Sequence, residues 1–373
     1  MSLRTSSRVV VVGGGILGTM HAVFAVRSGA TVIHLDRDEQ PVGASVRNFG
    51  LVWVSGRSPG AELRLALRSR ELWEQVGCDV PATGFRANGS ITVASTGSEL
   101  KVLEETAARS DASDRGLSLL DVDEVRHLNP GLHGEFLAGL HCCLDAAVEP
   151  RLTLGALRKW LKLSGRYRYV APREIVDVSD HAVIDHTGAR RQADLVVLCV
   201  GAVDRGPMGR LFEGTQLQTV RLHMAETEPL GRQLTTSVAD GNSLRYYPVF
   251  KEPAIRLLQP QDERLSRFCI QLMCQQRLDG RVTLGDTHEY EEPFGFDLSD
   301  EPVVLIEQLA RGVVGTPFAR IHRRWLGTYH QLRNVSDDEL YFRREVAPGV
   351  VAVTGAGGRG MTLAPAIAEE TFR

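Results

Sequence analysis

The residues whose types and spacing point most directly to chemistry form a glycine-rich turn near the amino terminus. The segment GGGILG spans residues 13–18 and follows Val9–Val12, a valine run that predicts a buried strand. A helical pattern runs from Thr19 to Ser28, and Thr31–Leu35 predicts a second strand. This order of strand, glycine turn, helix and strand is typical of a unit that binds the pyrophosphate of a dinucleotide.

Each position of the turn has a predicted physical role. Gly13 permits the tight turn, Gly15 lets the backbone approach a pyrophosphate, and Gly18 lets the helix pack closely on the strand. The N-terminus of the helix offers free N–H groups to the phosphates, and Ile16 and Leu17 are predicted to contact the cofactor. The sequence therefore predicts a dinucleotide site at this turn.

An acidic residue ends the second predicted strand. Asp36 stands where a carboxylate accepts hydrogen bonds from ribose hydroxyls. The acid argues against a bound 2′-phosphate, while its neighbour Arg37 keeps that alternative open. We predict that both residues contact the cofactor.

A second glycine-rich turn, at residues 355–362, lies near the carboxyl terminus. It follows a predicted apolar strand at 349–354 and precedes a helical stretch at 363–372. Backbone N–H groups at a helix start can stabilise the negative charge that reduction places on a flavin. Because NAD needs no such second turn, we predict FAD. The residues of this turn predicted to contact it are Gly355, Gly358, Arg359, Gly360, Met361 and Thr362.

Segments from the middle of the chain complete the predicted cofactor domain. Residues 173–185 alternate like a pair of strands, with Val176 holding the adenine edge, and 193–201 form a buried strand that ends at Gly201. The predicted fold class is α/β, a Rossmann-like FAD-binding domain with a parallel sheet and an inserted, mostly antiparallel α+β substrate domain. We expect the FAD-binding domain to comprise residues 1–80, 145–215 and 335–373, and the substrate domain to comprise 81–144 and 216–334.

The composition is that of an ordinary globular protein. The 373 residues are 43% hydrophobic and 24% charged, and the net charge of −3 gives no electrostatic footprint for nucleic acid or an anionic membrane. The six cysteines form no CxxC pair and the histidines no HExxH spacing, so no disulfide framework and no metal site are predicted. Without a recognisable secretion signal or membrane span, the expected location is the cytoplasm. The polar stretch at 111–115 is expected to be a solvated turn.

Taken together, these motifs resemble the superfamily of glycine oxidase, sarcosine oxidase and D-amino-acid oxidase. The segments that carry the resemblance are VVVVGGGILGTMHAVFAVRSGATVIHLDR, GASVRNFGLV, LDAAVEPRLTLGAL, ADLVVLCVGA and VVAVTGAGGRGMTLAP. It implies an enzyme in which FAD oxidises an amine. A narrower resemblance, to oxidoreductases associated with bacterial phosphonate breakdown, is carried by RNFGLVWVSG, LRYYPVF, QQRLDGRVTLGDTHEY and EEPFGFD.

The chain departs from the superfamily at two places. Glycine oxidase-like enzymes place a carboxylate-binding arginine shortly after a W-x-G motif, whereas this chain has Tyr329 there, with Arg324 nearby as a substitute. Sarcosine oxidases bind FAD covalently through a cysteine near the carboxyl-terminal turn. The last cysteine here is Cys274, so we expect non-covalent FAD.

The resemblance also suggests residues beside the flavin and the substrate. In the loop after Asp36, Ser45 and Asn48 are predicted to position FAD, and Arg47 to face either the FAD phosphates or the substrate anion. Arg245 is a predicted phosphonate contact, since a guanidinium suits bidentate binding of such oxygens. Arg359 is predicted to contact either the flavin or the substrate.

The catalytic candidates lie in the predicted substrate domain. Tyr246 and Tyr247 are expected on alternating faces, so that only one of them points into the pocket. His288 follows a predicted strand at 281–284 and is a candidate proton acceptor, phosphonate ligand or positive charge for oxygen reduction. For each of the three, a structural role is the alternative.

The leading hypothesis is oxidation of an anionic amine, 2-aminoethylphosphonate or an N-methyl or hydroxylated derivative, with oxygen as acceptor. Glycine, sarcosine or D-amino-acid oxidation is one alternative, and a dehydrogenase with another acceptor is a second. A non-catalytic flavin-binding partner chain is a third.

Overall fold

The computed structural model describes residues 7–203, 206–333 and 339–373. Its strands are β1 Arg8–Val12, β2 Thr31–Leu35, β3 Leu51–Val52, β4 Ser90–Ala94, β5 Leu117–Leu120, β6 Ala138–Cys142, β7 Ala146–Ala147, β8 Tyr167–Val170, β9 Ile175–Ser179, β10 Ala182–Asp185, β11 Arg190–Gln192, β12 Leu195–Leu198, β13 Leu217–Thr227, β14 Ser237–Ala239, β15 Met273–Gln276, β16 Val282–Gly285, β17 Ile321–Leu332, β18 Phe342–Ala347 and β19 Val350–Thr354.

The helices lie between these strands, and short 3-10 turns include Ala44–Val46, Gly241–Arg245, Pro248–Phe250 and Gly357–Arg359. The α-helices are α1 Ile16–Arg27, α2 Ala61–Asp79, α3 Gly97–Ala107, α4 Val122–Leu128, α5 Pro150–Leu163, α6 Gly206–Arg210, α7 Glu263–Arg267, α8 Glu301–Val314 and α9 Gly360–Phe372.

The first sheet has the order β18-β19-β12-β1-β2-β8. All its pairs are parallel except β18 with β19. The apolar residues of β1 explain its central place, because a strand covered on both faces has no polar side to turn to water. Helices α1 and α9 pack on one face of this sheet, in a core that includes Met20, Val197 and Ile367.

The second large sheet has the order β17-β13-β16-β15-β14-β4-β6-β5. It is mostly antiparallel, and β14 with β4 is a parallel pair. Helix α8 packs on it through a separate core around Leu284 and Ile306. The α/β fold with a Rossmann-like parallel sheet and a mostly antiparallel second sheet is thus confirmed.

The strands of the two sheets fall into the predicted domain segments. The parallel sheet draws its strands from 1–80, 145–215 and 335–373, and the second sheet draws its strands from 81–144 and 216–334. We therefore propose the same two-domain division. Its boundaries at residue 1 and at residues 334 and 335 lie outside the described residues.

One local expectation was wrong in part. The stretch at 111–115 is a turn with Ser113 and Asp114 exposed, as expected, but the Arg115 side chain is 0% exposed. Its guanidinium forms an ion pair with Asp111 at 2.8 Å and donates to the carbonyl oxygens of Arg57 (2.6 Å) and Ser55 (3.3 Å). The stretch therefore anchors the loop that follows β3.

Candidate active site

The carboxyl ends of the parallel strands open on a cleft of about 450 Å³. Such a crevice at the strand ends is where open α/β sheets bind ligands. The predicted cofactor residues that line this cleft are Gly13, Gly15, Ile16, Leu17, Asp36, Arg37, Ser45, Arg47, Gly201, Gly355 and Gly360.

The three fingerprint glycines meet different surroundings. Gly13 has φ of +100°, and a Cβ there would lie 2.1 Å from the carbonyl oxygen of Cys199. A Cβ on Gly18 would lie 1.9 Å from the Gly13 carbonyl, so Gly18 brings α1 against β1 without lining the cleft itself. Gly15 caps the start of α1, and a Cβ on Gly15 would have the Ser45 hydroxyl oxygen as its nearest neighbour, at 3.1 Å. Its backbone therefore faces the cleft.

This difference makes Gly15 a selective test of cofactor binding. We expect Gly15→Ala to fold but to bind FAD about 10- to 100-fold more weakly, because the added methyl group occupies the space that a pyrophosphate approaches. The measurement is FAD titration of the apoprotein by flavin fluorescence. Gly155→Ala, whose Cβ would meet no described atom within 4 Å, is the control and keeps wild-type affinity. Equal FAD affinities of the two variants would contradict the assignment.

The acid at the end of β2 is held by the turn itself. One carboxylate oxygen of Asp36 accepts from the backbone N–H of Gly14 and the other from that of Asp38 at 2.9 Å. Arg37 forms an ion pair with Asp38, 3.4 Å between nitrogen and oxygen. Both predicted residues face the cleft, and their contact with a ribose stays a prediction.

Two other predicted cofactor residues lie elsewhere. Val176 does not line the cleft, whereas Ile175, the first residue of β9, and the preceding Glu174 do. The Asn48 side chain stabilises its own turn, by donating to the Ala44 carbonyl (2.8 Å) and accepting from the Gly50 N–H (2.7 Å). Asn48 borders a neighbouring cavity and not the cleft.

That second cavity, of about 380 Å³, opens from the cleft. The two share a wall that includes Ser45, Arg47, Tyr329 and Gly360. The Arg47 guanidinium also donates to the Leu326 carbonyl at 2.9 Å. The remaining residues of the carboxyl-terminal turn, Gly358, Arg359, Met361 and Thr362, line this second cavity.

One part of the second cavity is cationic. Arg57 and Arg359 each place a guanidinium nitrogen 3.5 Å from the same oxygen of Glu62, and Lys251 also lines the wall. Burial raises the pKa of the Glu62 carboxyl, but Arg57 and Arg359 outweigh it, so the net pKa is lowered and the group is ionised. This part can therefore hold an anion.

Another part of the cavity offers hydrogen-bond acceptors. Buried Gln271 donates its amide N–H to Asp286 at 3.1 Å, which leaves the Gln271 carbonyl oxygen without a hydrogen bond among the described residues. The Nδ1 atom of His288 is likewise unpaired there and lies 4.0 Å from the Asp286 carboxylate. Burial lowers the pKa of His288, an effect that Asp286 opposes, so the imidazole is neutral and not a fixed positive charge.

A row of aromatic rings separates the two parts. Trp53, beside Arg57, lies 5.8 Å from Tyr247, which lies 5.1 Å from Tyr246, and Tyr246 lies 4.3 Å from His288. Burial raises the pKa of both tyrosines, so their hydroxyls stay protonated and can donate hydrogen bonds. The row therefore sets how far apart a ligand must place its anionic group, at the Arg57 end, and its hydrogen-bond donor, at the His288 end.

The structure corrects three predicted placements. Tyr246 and Tyr247 both line the cavity, because they follow a 3-10 turn and not a strand with alternating faces. Arg245 points away and donates to the carbonyls of Gly241 (3.5 Å) and Gln259 (2.6 Å). On β17, Arg324 and Tyr329 face opposite sides of the sheet, and Arg324 forms an exposed ion pair with Asp300. Arg324 therefore does not take the place of the missing carboxylate-binding arginine.

Several residues of the cavity were missed in the sequence. They come from loops far apart in the chain. Trp53 and Asp286 lie inside the resemblance segments RNFGLVWVSG and QQRLDGRVTLGDTHEY, and Arg57 and Lys251 directly follow RNFGLVWVSG and LRYYPVF. The missed residues are Trp53, Arg57, Glu62, Lys251, Gln271 and Asp286.

Two features of the structure support the fit of FAD to the cleft and the adjoining cavity. A Cβ on Gly201 or on Gly360 would meet no described atom within 4 Å, so both backbones border free space. Helices α1 and α9 begin at the two glycine turns, and each presents its N-terminal N–H groups.

Among the described residues, none of the helices is long and apolar enough to cross a membrane.

Comparison with known proteins gives relatives of the same kind. The chain is 25% identical over 372 residues to an opine oxidase chain of Agrobacterium tumefaciens (strain Ach5), with 95% of this chain and 90% of that protein covered. It is 28% identical over 172 residues to the opine oxidase chain of the same name from Rhizobium meliloti, a match that spans 42% of this chain and less than half (45%) of that protein. Both relatives are named as one of the subunits of their enzyme.

Among solved structures, glycine oxidase from Bacillus cereus ATCC 14579 superposes with a TM-score of 0.77 at 17% identity. The superposition covers 98% of this chain and 94% of that one, and at this identity it shows the fold. The family model described as DAO, FAD dependent oxidoreductase, matches residues 8–373. The chain therefore belongs to this family of FAD-dependent oxidoreductases.

Proposed function

We propose that the enzyme oxidises a small amine that carries a phosphonate group, such as 2-aminoethylphosphonate or its N-methyl or hydroxylated derivative. The products are an aldehyde, ammonia or methylamine, and hydrogen peroxide, with oxygen as the acceptor. The observation that carries the proposal is the cavity beside the FAD cleft. It combines a cationic part around Arg57 and Arg359 with an acceptor part around Gln271 and His288.

The acceptor part suits the amine. Bound FAD would supply the oxidation, as the acceptor of a hydride equivalent from the carbon that bears the nitrogen. The Gln271 carbonyl oxygen and His288 Nδ1 accept hydrogen bonds from the amine N–H groups, and the neutral His288 can take the proton that the nitrogen must lose. The imine that results is hydrolysed by water to the aldehyde and the free amine.

The cationic part suits the phosphonate. A carboxylate needs one guanidinium for bidentate binding, whereas four cationic side chains, those of Arg47, Arg57, Lys251 and Arg359, border this cavity together with the carboxyl groups of Glu62 and Asp286. The site thus offers more positive charge than one carboxylate balances. In the position where a carboxylate-binding arginine was expected, Tyr329 offers a hydroxyl.

Oxidation of an amine that carries carboxylates is the second candidate. It is favoured by the names of the relatives, opine oxidase and glycine oxidase. Glycine, sarcosine and D-amino-acid oxidation remain within this candidate, as does a dehydrogenase that reduces an acceptor other than oxygen. Because the opine oxidase relatives are each named as one subunit of an enzyme, a further alternative is that this chain works together with a partner chain.

A peroxide-release assay on the purified yellow protein tests the proposal. The panel holds 2-aminoethylphosphonate, its N-methyl and hydroxylated forms, glycine, sarcosine, D-alanine and iminodiacetate. Peroxide with the phosphonates alone supports the proposal, and peroxide with the carboxylates alone refutes it. Anaerobic flavin bleaching without peroxide in air indicates a dehydrogenase.

A further inference from the structure

We infer that Arg57 is a specificity-determining residue that, together with Arg359, selects a doubly charged anion over a singly charged one. The inference deepens the proposed function and rests on it for the identity of the substrate. Arg57 lies in the loop that follows β3, and the sequence motifs did not point to it. Four features of its surroundings carry the inference.

The first feature is the free donor capacity of a buried guanidinium. The residue is 6% exposed and borders the cavity. Its Nε donates to the Trp53 carbonyl at 2.8 Å, while the two terminal nitrogens make only long contacts of 3.5 Å, to Glu62 and to Thr362. Because a guanidinium has five N–H donors, at least two are available to a ligand in the cavity.

The second feature is the local charge balance. The cavity is lined by four cationic side chains, those of Arg47, Arg57, Lys251 and Arg359, and by two carboxyl groups, those of Glu62 and Asp286. Two positive charges therefore remain to be balanced. A phosphonate dianion balances both, whereas a sulfonate or a single carboxylate leaves one uncompensated in a partly buried site.

The third feature is the rigidity of the loop. Buried Asp145 accepts hydrogen bonds from the backbone N–H groups of Val54 (2.5 Å) and Ser55 (3.0 Å) and from the Ser55 hydroxyl (2.6 Å). The Arg115 guanidinium donates to the carbonyl of Arg57 itself at 2.6 Å. A residue fixed in this way loses little conformational entropy when it binds a ligand.

The fourth feature points to a ligand independently of charge. The Trp53 Nε1–H is buried, borders the same cavity and has no hydrogen-bond partner among the described residues. A buried indole N–H normally finds an acceptor. A phosphonate oxygen beside Arg57 supplies one, and it does so without competing for the Arg57 donors.

The test uses two non-reactive ligands of similar shape, ethylphosphonate and ethanesulfonate, at an alkaline pH where the phosphonate is doubly charged. Binding to the FAD-loaded protein is followed by the visible spectrum of the flavin. We expect the wild type to prefer ethylphosphonate. Arg57→Gln should weaken ethylphosphonate binding about 10- to 100-fold, as for loss of one charged hydrogen-bond donor, and ethanesulfonate less, so that the preference disappears.

Two further variants keep the test decisive. Arg57→Lys retains the charge but not the fork of donors, and we expect an intermediate loss together with full FAD content. Arg245→Gln removes an arginine that points away from the cavity and should leave both affinities unchanged. The inference is overturned if the wild type shows no preference, or if both Arg57 variants keep the wild-type ratio of affinities.

Turnover separates this result from the proposed function. If Arg57 governs the ligand preference but 2-aminoethylphosphonate is not oxidised, the proposed substrate is wrong and the anion site stands. If 2-aminoethylphosphonate is oxidised while Arg57→Gln keeps the preference, the function stands and the role of Arg57 is refuted.

Discussion

Arg359→Gln is expected to lower kcat/KM for the anionic amine by about 10²–10³-fold, because truncation of one partner in a buried charge cluster costs several kcal/mol. Arg359 lies between Gly358, on the second cavity, and Gly360, on the wall shared with the FAD cleft. Arg359 is thus next in sequence to the wall that the two cavities share, whereas Arg57 lines the second cavity alone. We therefore expect the loss in kcat as well as in KM.

The variant must still fold for this result to count. The Arg359 side chain also donates to the carbonyls of Ala356 (3.2 Å) and Leu340 (3.0 Å), so FAD content and thermal unfolding are measured beside the kinetics. Arg324→Gln is the control: its side chain lies in an exposed ion pair, and kcat/KM should stay within about twofold of wild type. Loss of activity in Arg324→Gln with full activity in Arg359→Gln would reverse the assignment.

The cofactor half of the fold could be predicted because its signals are local. The unit β1, α1 and β2 lies within 28 consecutive residues, Arg8 to Leu35, and its glycines stand at positions where any side chain would collide with backbone or enter the cleft. Only the start of α1 was misplaced. It begins at Ile16 and not at Thr19, because Gly15 already caps the helix.

The substrate cavity could be predicted only in part because its residues meet through tertiary packing. Arg57, Gln271 and Asp286 come from different loops, and no short-range pattern brings them together. Arg245 was misplaced because it was chosen for its guanidinium and for its place beside Tyr246 and Tyr247, which were expected to alternate like strand residues. The Asp240 carboxylate instead caps a 3-10 turn by accepting from the Asn242 N–H at 3.1 Å.

The structure also predicts acid sensitivity of the cofactor domain. Burial lowers the pKa of His21 to about 4 and that of His34 to about 3, from 6.5 in the unfolded chain. As the pH falls below about 6.5, the unfolded chain binds protons that the folded protein does not, so stability is lost towards acid. When the pH falls from about 7 to about 5, each of the two histidines is expected to lower the free energy of unfolding by about 2 kcal/mol.

His34 couples this loss to the FAD site. Its Nε2 hydrogen-bonds the Gly13 carbonyl at 2.9 Å, and its Nδ1 hydrogen-bonds the Tyr167 hydroxyl at 2.9 Å. Two buried carboxyls oppose the trend, since burial raises the pKa of Asp240 to about 6 and also raises the pKa of Asp286. Protonation of Asp240 in the folded state returns about 1 kcal/mol over the same range.

Urea unfolding at both pH values separates the contributions. His34→Gln and His21→Asn retain a hydrogen-bonding amide without a titrating ring, and each should reduce the acid-dependent loss by about 2 kcal/mol. The exposed His127, replaced by Gln, should leave the wild-type loss unchanged. If both core variants lose as much stability between the two pH values as the wild type, these histidines titrate normally in the folded protein. The acid sensitivity would then have to arise from other groups, such as His223, whose pKa burial also lowers.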